Sequence, residues 1–491
     1  MIRTWNGHTW PSLFTWTIVL AGALGCGDDR GGEMPGDAGP GASGPAPSWN
    51  RRPMDTLRLV EGATLVLPLD PGQDVAEVGV EETGPAEAAG LHVRLMVDPD
   101  ADALSLALRA PLGASPGTRD AEILLAAEGG EAARFPLALE IVPLGWERFA
   151  AWDWESDEGP EPREHGVSLA TEDGLLVLQG SGYFPQFTQM LDDAWRFDRS
   201  TETWVALSVV GELSGAGSRR AAAGRSPGEW LLFGGYQEPP VYLDELVAIR
   251  FEPGEDRLTV SSLPSEERPF SRGLHAFVKD PGAERWIAFG GVNSSPVGSV
   301  RILPDTWELT FVDGEPRWRF LELEGEGPTP RYGFFYGVDP ATRRLIVWSG
   351  GGPPTADDPV NPADDTWALD LADEPPTWRP LFPTGDAPRG RRNGCSVFDP
   401  ALGALVVIGG TADGRSTVPG VHALELRGPM APRWVDLGGR VGEPPLRSSG
   451  FGTALGGVDE PGLVCGFGNG TRPFADLAFL APTGATDPGP A

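Results

Sequence analysis

The chain is poor in the residues from which most catalytic and metal sites are built. Its 491 residues include three cysteines, five histidines and five tyrosines. No Cys/His spacing of the zinc-binding kind occurs, and no Gly-x-Ser-x-Gly turn that would raise a nucleophilic serine. Positive charge is also scarce: 38 Lys and Arg stand against 70 Asp and Glu, a net charge of −32. Such a surface repels phosphate backbones and anionic lipid, which argues against nucleic acid as a partner and keeps a solvated, exported chain soluble. Apolar runs of helical period are missing. The apolar stretch from about Leu13 to Leu24 is shorter than a membrane-crossing helix needs.

Glycine and proline are abundant, with 68 and 50 copies. With a hydrophobic share of 40%, they point to many short strands joined by tight turns around a packed core. At the amino terminus, Arg3 precedes the apolar stretch, and Ala23-Leu24-Gly25-Cys26 places small residues before a cysteine. This resembles the bacterial lipoprotein signal, residues 1–26. The resemblance implies acylation of Cys26 and contact with a membrane only through that lipid anchor. Gly27 stands where aspartate would favour the inner membrane, so the outer membrane is the expected address. Residues 27–54, rich in Gly, Pro, Ala and Asp, read as a disordered tether, and 481–491 as a disordered tail. Export permits a disulfide. However, Cys395 and Cys465 each sit in an apolar strand pattern, which is the setting of a buried free thiol.

Residues 55–143 alternate apolar and polar positions in LRLVEGATLVLPL, LHVRLMVDP, LSLALRA, DAEILLAAEGG and ARFPLALEIVP. This predicts half-buried strands in two facing sheets. The stretch APLGASPGTRDAEILLAAEGG resembles the late hairpin of immunoglobulin-like or cadherin-like modules, which implies a spacer.

From residue 162 a pattern recurs: an arginine, a strand often ending in Asp-Pro, an apolar run ending in glycine, then Asp-x-Trp and a tryptophan-bearing strand. The arginines are Arg163, Arg219, Arg272, Arg331, Arg391 and Arg447, spaced by 56, 53, 59, 60 and 56 residues. The aspartates include Asp193, Asp305 and Asp365; the later tryptophans are Trp204, Trp318, Trp378 and Trp434. In the fifth copy Val421 and His422 stand where the aspartate is expected. Periods of this length with glycine and aromatic marks are those of propeller blades. The order resembles Kelch repeats, and implies an all-β, six-bladed Kelch-type propeller over residues 144–480. The sixth copy stops at Leu480 after three strands. Leu144-Gly145-Trp146-Glu147-Arg148-Phe149 matches a fourth strand such as Thr203–Leu207. It is therefore expected to complete the last blade and close the ring, since an open edge would invite aggregation.

Up-and-down connectivity places the arginines and the second-to-third-strand loops on one face. Those loops (181–191, 236–243, 292–304, 352–364 and 411–420) read as long and irregular, the usual place for binding. In Kelch proteins the first strand is innermost, which implies that the six arginines ring the channel mouth, open to an anionic ligand or paired with carboxylates or carbonyls of neighbouring blades. Tyr183, Phe184, Phe187 and Tyr236 stand in the same loops and can stack on a sugar or peptide. Copper oxidases of the galactose-oxidase type share the repeat but need a Cys–Tyr crosslink and paired histidines; no tyrosine is placed to pair with Cys395, and no such site is formed. His165 and His275 read as structural. The acidic runs Asp153–Glu161 and Asp357–Asp365 lack calcium-loop alternation. No cofactor or metal is expected. Two functions remain: a non-catalytic module for an envelope protein or glycan, and a carbohydrate-active enzyme resembling sialic-acid mutarotases, with Glu164 beside Arg163 as its acid or base.

Overall fold

The computed structural model describes residues 56–68, 77–82, 91–98, 103–126, 133–149, 159–184, 187–211, 217–238, 241–294, 300–323, 325–355, 360–428, 430–440, 447–457, 460–469 and 476–483. The leader with Cys26, the tether and most of the tail lie outside the described residues.

The alternating segments of the first region form two sheets. Leu57–Val60, Ala133–Val142, Gly117–Ala126 and Glu77–Glu82 make one, and Thr64–Pro68, Ala103–Arg109 and His92–Asp98 the other. Leu57, Leu59, Leu139 and Ile141 from the first meet Leu67, Leu106 and Leu108 from the second in a single core. Period-two patterning thus buries one face of each sheet against the other. Buried polar contacts fasten this pair of sheets to the later part of the chain. Glu61, 1% exposed, accepts the backbone N–H of Leu144 at 2.7 Å and pairs with Arg440. Arg109 bonds Glu425 at 3.0 Å and the Leu402 carbonyl at 2.8 Å.

Among the described residues, six further sheets of four or five strands succeed one another in chain order. The third is typical, with Ala276–Lys279, Trp286–Phe289, Thr306–Val312 and Glu315–Phe320 paired antiparallel in sequence order. The sixth consists of Phe451–Ala454, Leu463–Gly466 and Leu477–Pro482, and its outer strand is Leu144–Phe149. Buried apolar clusters lie between successive sheets, and one joins Leu175, Val177 and Phe197 of the first to Val464 and Phe479 of the sixth. The repeat tryptophans fill these wedges: Trp318 lies 4.8 Å from Phe233, Trp378 4.8 Å from Phe289 and Trp434 4.9 Å from Trp348. Trp146 occupies the corresponding place between the fifth and sixth sheets. This radial order of sheets is that of a β-propeller.

The glycines that end each second strand join the sheets. The glycine two residues after each second strand donates to the carbonyl of the repeat arginine in the next sheet: Gly235 to Arg272, Gly291 to Arg331, Gly350 to Arg391, Gly410 to Arg447 and Gly468 to Arg163. The preceding Gly409 has φ +61°, and a Cβ there would come 1.9 Å from the Arg447 carbonyl oxygen, so only glycine fits. A second series runs closer to the axis, through residues with φ between 54° and 60°. His165 donates to Ser449, Arg219 to His165, Leu274 to Arg219, Gly333 to Leu274, Asn393 to Gly333 and Ser449 to Asn393, at 2.6–3.2 Å.

The structure corrects three expectations. Loops 181–191, 236–243 and 292–304 are not irregular: Gly174–Phe184 pairs with Phe187–Asp198, Tyr236–Gln237 with Val241–Tyr242, and Val292–Ser294 with Val300–Ile302. Two of these ribbons have strands of only two or three residues, too short to show an alternating pattern. Cys395 and Cys465 are not free thiols; they form a disulfide between the fifth and sixth sheets, because adjacent inner strands bring two buried positions together. Lastly, the fifth-sheet residue equivalent to Asp365 is Gly420, with Val421 opposite Ile408 as Thr366 is opposite Trp348.

Candidate functional site

Five of the six repeat arginines are buried inside the protein. Arg163, Arg272 and Arg331 are fully buried, Arg447 is 1% exposed and Arg391 3% exposed. Each of the first four is clamped within its own sheet. Arg272 donates to Asp305 at 3.0 and 2.8 Å and to the Gly290 carbonyl at 3.0 Å; Arg163 meets Asp193 at 2.6 and 2.7 Å; Arg331 meets Asp365 at 2.7 and 3.1 Å; Arg447 meets Asp476 at 3.0 Å. The tryptophan of Asp-x-Trp completes the set, with Trp195, Trp307 and Trp367 each donating to its aspartate at 2.7 Å. Bidentate pairing of this kind consumes the guanidinium fork. The repeat therefore encodes a buried structural triad of arginine, aspartate and tryptophan. Burial pushes the Asp305 carboxyl up, but the hydrogen bonds and charge of Arg272, with the Trp307 N–H, outweigh it and hold the group below its ordinary value.

The second sheet departs from the pattern, and the sequence spacing concealed how. Ser218 bridges Tyr236 as Gly273 bridges Val292 and Tyr332 bridges Gly351. Arg219 is therefore two residues beyond the clamp position, which Gly217 occupies. Arg220 instead pairs with Glu245, at 3.1 Å. Arg219 stands in the axial series, half-buried, with its guanidinium carbon 4.7 Å from the Tyr236 ring centroid and its buried Nε without a hydrogen-bond partner. Tyr236 meets Tyr242 edge to face at 5.2 Å. Gly273 makes room for this group, since a Cβ there would lie 3.1 Å from the Tyr242 ring.

A matching pair stands in the fifth sheet. Arg392, which the repeat pattern did not single out, lies with its guanidinium carbon 4.8 Å from the Tyr332 centroid and donates to the Tyr332 hydroxyl. Its Nε is likewise buried without a partner. The adjacent-arginine doublets Arg219-Arg220 and Arg391-Arg392 were the available signal. His165 lies between the two stacks electrostatically: burial, then the charges of Arg219 and Arg392, lower it to about 3. Glu164 precedes it and pairs in the backbone with Ser181. The side chains of Tyr183, Phe184 and Phe187 lie outside the described residues, although their backbone forms the hairpin tip. No group of three or more His, Cys, Asp or Glu side chains among the described residues is placed to hold a metal ion.

His275 makes no contact with this cluster. It is 3% exposed, edge-on to Phe233 at 5.3 Å, with neither ring nitrogen hydrogen-bonded. Burial, then the Arg272 charge, hold it well below its ordinary value. The folded protein thus keeps His275 neutral, whereas the unfolded chain takes up a proton below about pH 6.5. Stability is therefore lost as pH falls below that value. Phe334 fills the equivalent position in the fourth sheet, so His275→Phe should fold and remove that loss. Urea denaturation at pH 7.5 and pH 5 checks this: an unchanged pH dependence in the variant would refute it.

No family model matches the chain. A 125-residue stretch is 36% identical to the serine/threonine-protein phosphatase BSL2 of Arabidopsis thaliana; it covers 26% of this chain and 11% of that protein's length. Among solved structures, YjhT aligns with 67% of this chain and 97% of its own, at 14% identity and a TM-score of 0.45. The class of protein is an all-β propeller, on the strength of its own repeat and radial sheets.

Proposed function

We propose that this chain is a lipid-anchored envelope protein whose closed, six-bladed Kelch-type propeller is a non-catalytic binding module for a glycan or protein that bears negative charge. In this reading Cys26 carries the anchor, residues 27–54 form the tether, and the first two sheets are an immunoglobulin-like or cadherin-like spacer. The two axial-face arginine–tyrosine stacks carry the functional part. Arg219 and Arg392 are the repeat-region arginines that retain buried, unpartnered Nε donors and lie against aromatic faces. A guanidinium held against a ring is pre-organised for a carboxylate and loses little freedom on binding. Against a chain of net charge −32, these two positive groups draw an anion to one place. His165, held at about 3, is a weak base at neutral pH, which favours binding over proton transfer.

The test is calorimetric titration of acidic mono- and oligosaccharides, and of acidic peptides, into the wild type, Arg219→Ala and Arg392→Ala. Each variant should bind at least about tenfold more weakly with its melting temperature within a few degrees of wild type, since a hydrogen bond to a charged group contributes roughly 1.5–3 kcal/mol. Equal affinity in all three proteins would overturn the assignment. Anomer exchange of an acidic sugar accelerated by the protein, and lost in Glu164→Gln, would instead make it a mutarotase-type enzyme.

A further inference from the structure

The fifth sheet holds an arginine clamp with its anion missing. In the first, third, fourth and sixth sheets the clamp arginine meets an aspartate, and in the second Arg220 meets Glu245. Arg391 sits in the same frame, 3% exposed. Its backbone N–H is held by Ser349 at 2.7 Å, as part of the joint to the fourth sheet. Its Nε donates to the Arg389 carbonyl at 3.0 Å, and its Nη1 to the carbonyls of Gly409 and Pro419 at 3.3 and 3.2 Å. No carboxylate among the described residues faces it, because Gly420 stands where the other sheets carry an acid. Its Nη2, which in the sister clamps grips the second aspartate oxygen, has no protein partner among those residues. With no anion beside it, burial alone lowers Arg391 to about 10.

A buried cation without a counter-charge is costly, and the usual remedy is an anion from outside. We propose that the Arg391 clamp is a binding site for a small carboxylate ligand, which offers Nη2 the oxygen that Asp305 and Asp365 supply in their own sheets. Those sister carboxylates mark the way in. Their side chains run from 14% exposed at Asp305 and Asp476 to 34% at Asp193 and 41% at Asp365, and Asp365 belongs to the adjoining fourth sheet, so the position is reached from solvent on that side. An aspartate stem has no room here: the His422 ring lies 2.7 Å from where a Gly420 Cβ would project. The anion therefore enters carboxylate first from solvent. His422 also occupies the position of Trp367, whose N–H bonds the aspartate in the fourth sheet. Nη1 is already held by two carbonyls, so the fit is to one oxygen of formate, acetate or the terminal carboxylate of a larger acid, received at Nη2.

The probes are sodium formate and sodium acetate, titrated into the full chain in a chloride-free buffer of constant ionic strength. A ligand that binds only the folded state raises the melting temperature by mass action. The expected result is a saturable rise, with the half-saturating concentration at least about tenfold higher in Arg391→Gln, the loss of one charged hydrogen-bonding partner. Carbon-13 formate line widths give a second readout: broadening by wild type, relieved by unlabelled acetate and absent with Arg391→Gln. That readout needs only that the variant fold, not that its stability match. An equal rise with chloride, or an equal response in Arg391→Gln, would overturn the proposal. Retention of acidic-glycan binding by Arg391→Gln would separate this site from the Arg219 and Arg392 face, so either assignment can fail alone.

Discussion

Arg272→Met is expected to destabilise the protein by about 3–5 kcal/mol, the cost of leaving one partner of a buried pair uncompensated. Arg272 is fully buried and the Asp305 side chain 14% exposed, so water cannot replace the lost guanidinium. Asp305 would keep the Trp307 N–H, at 2.7 Å, and a backbone N–H. Asp305→Leu should cost a similar amount, because it strands the cation. The double variant Arg272→Met, Asp305→Leu should lie closer to wild type than either single change, since removal of both charges also removes the need to desolvate them. Arg391→Met should be the mildest of the five clamp-arginine variants in carboxylate-free buffer. Urea denaturation of the set measures all of this. Single and double variants that simply add would show that the pair is not coupled, and a large loss in Arg391→Met would show that its carbonyl contacts matter more than charge pairing does.

A chain that begins at residue 150 is expected not to fold into a soluble monomer. The strand Leu144–Phe149 pairs along its full length with Leu477–Pro482. Leu144 and Trp146, 2% and 6% exposed, pack with Leu437, Leu463, Ala478 and Leu480. Loss of two such side chains removes roughly 2–5 kcal/mol each and bares a strand edge that templates aggregation. A chain that begins at residue 144 keeps the strand but strands Arg440, whose partner Glu61 is gone; it should fold with reduced stability. Size-exclusion chromatography and near-ultraviolet circular dichroism distinguish the three forms. A monomeric, cooperatively unfolding protein from residue 150 would refute the role given to the strand.

The architecture was legible because its marks are local and repeated. Glycine pairs, apolar runs and tryptophans recur at near-constant offsets, and each corresponds to a contact made once per sheet. Even the strand at 144–149 could be matched to Thr203–Leu207 by its tryptophan. The site was far less legible, since it depends on departures from the repeat. Arg219 satisfies the arginine spacing yet lies two residues out of register, because Gly217 takes the clamp position and Arg220 the acid. Arg392 is hidden behind Arg391 in a doublet. The clamps themselves look like a cationic ring in one dimension, and only the distances from Arg163 to Asp193 and from Arg331 to Asp365 reveal that their charge is already matched. The missing aspartate is visible in the spacing, which points to Val421 and His422 rather than Gly420, because a one-residue shift in a short strand leaves no trace in composition.

The pairing of Leu144–Phe149 with Leu477–Pro482 also sets an order in time. The first of these strands is synthesised more than three hundred residues before its partner, so contacts of very high sequence separation must close last. Until they do, the early strand has no ladder to join and the growing row of sheets carries an unpaired edge, the kind of species that chaperones shield. The Cys395–Cys465 bond, with a sequence separation of 70 between its cysteines, joins the last two sheets and belongs to the same late stage. Completion of the molecule is thus a single terminal event: refolding should show one slow step, independent of protein concentration, in which these two strands find each other.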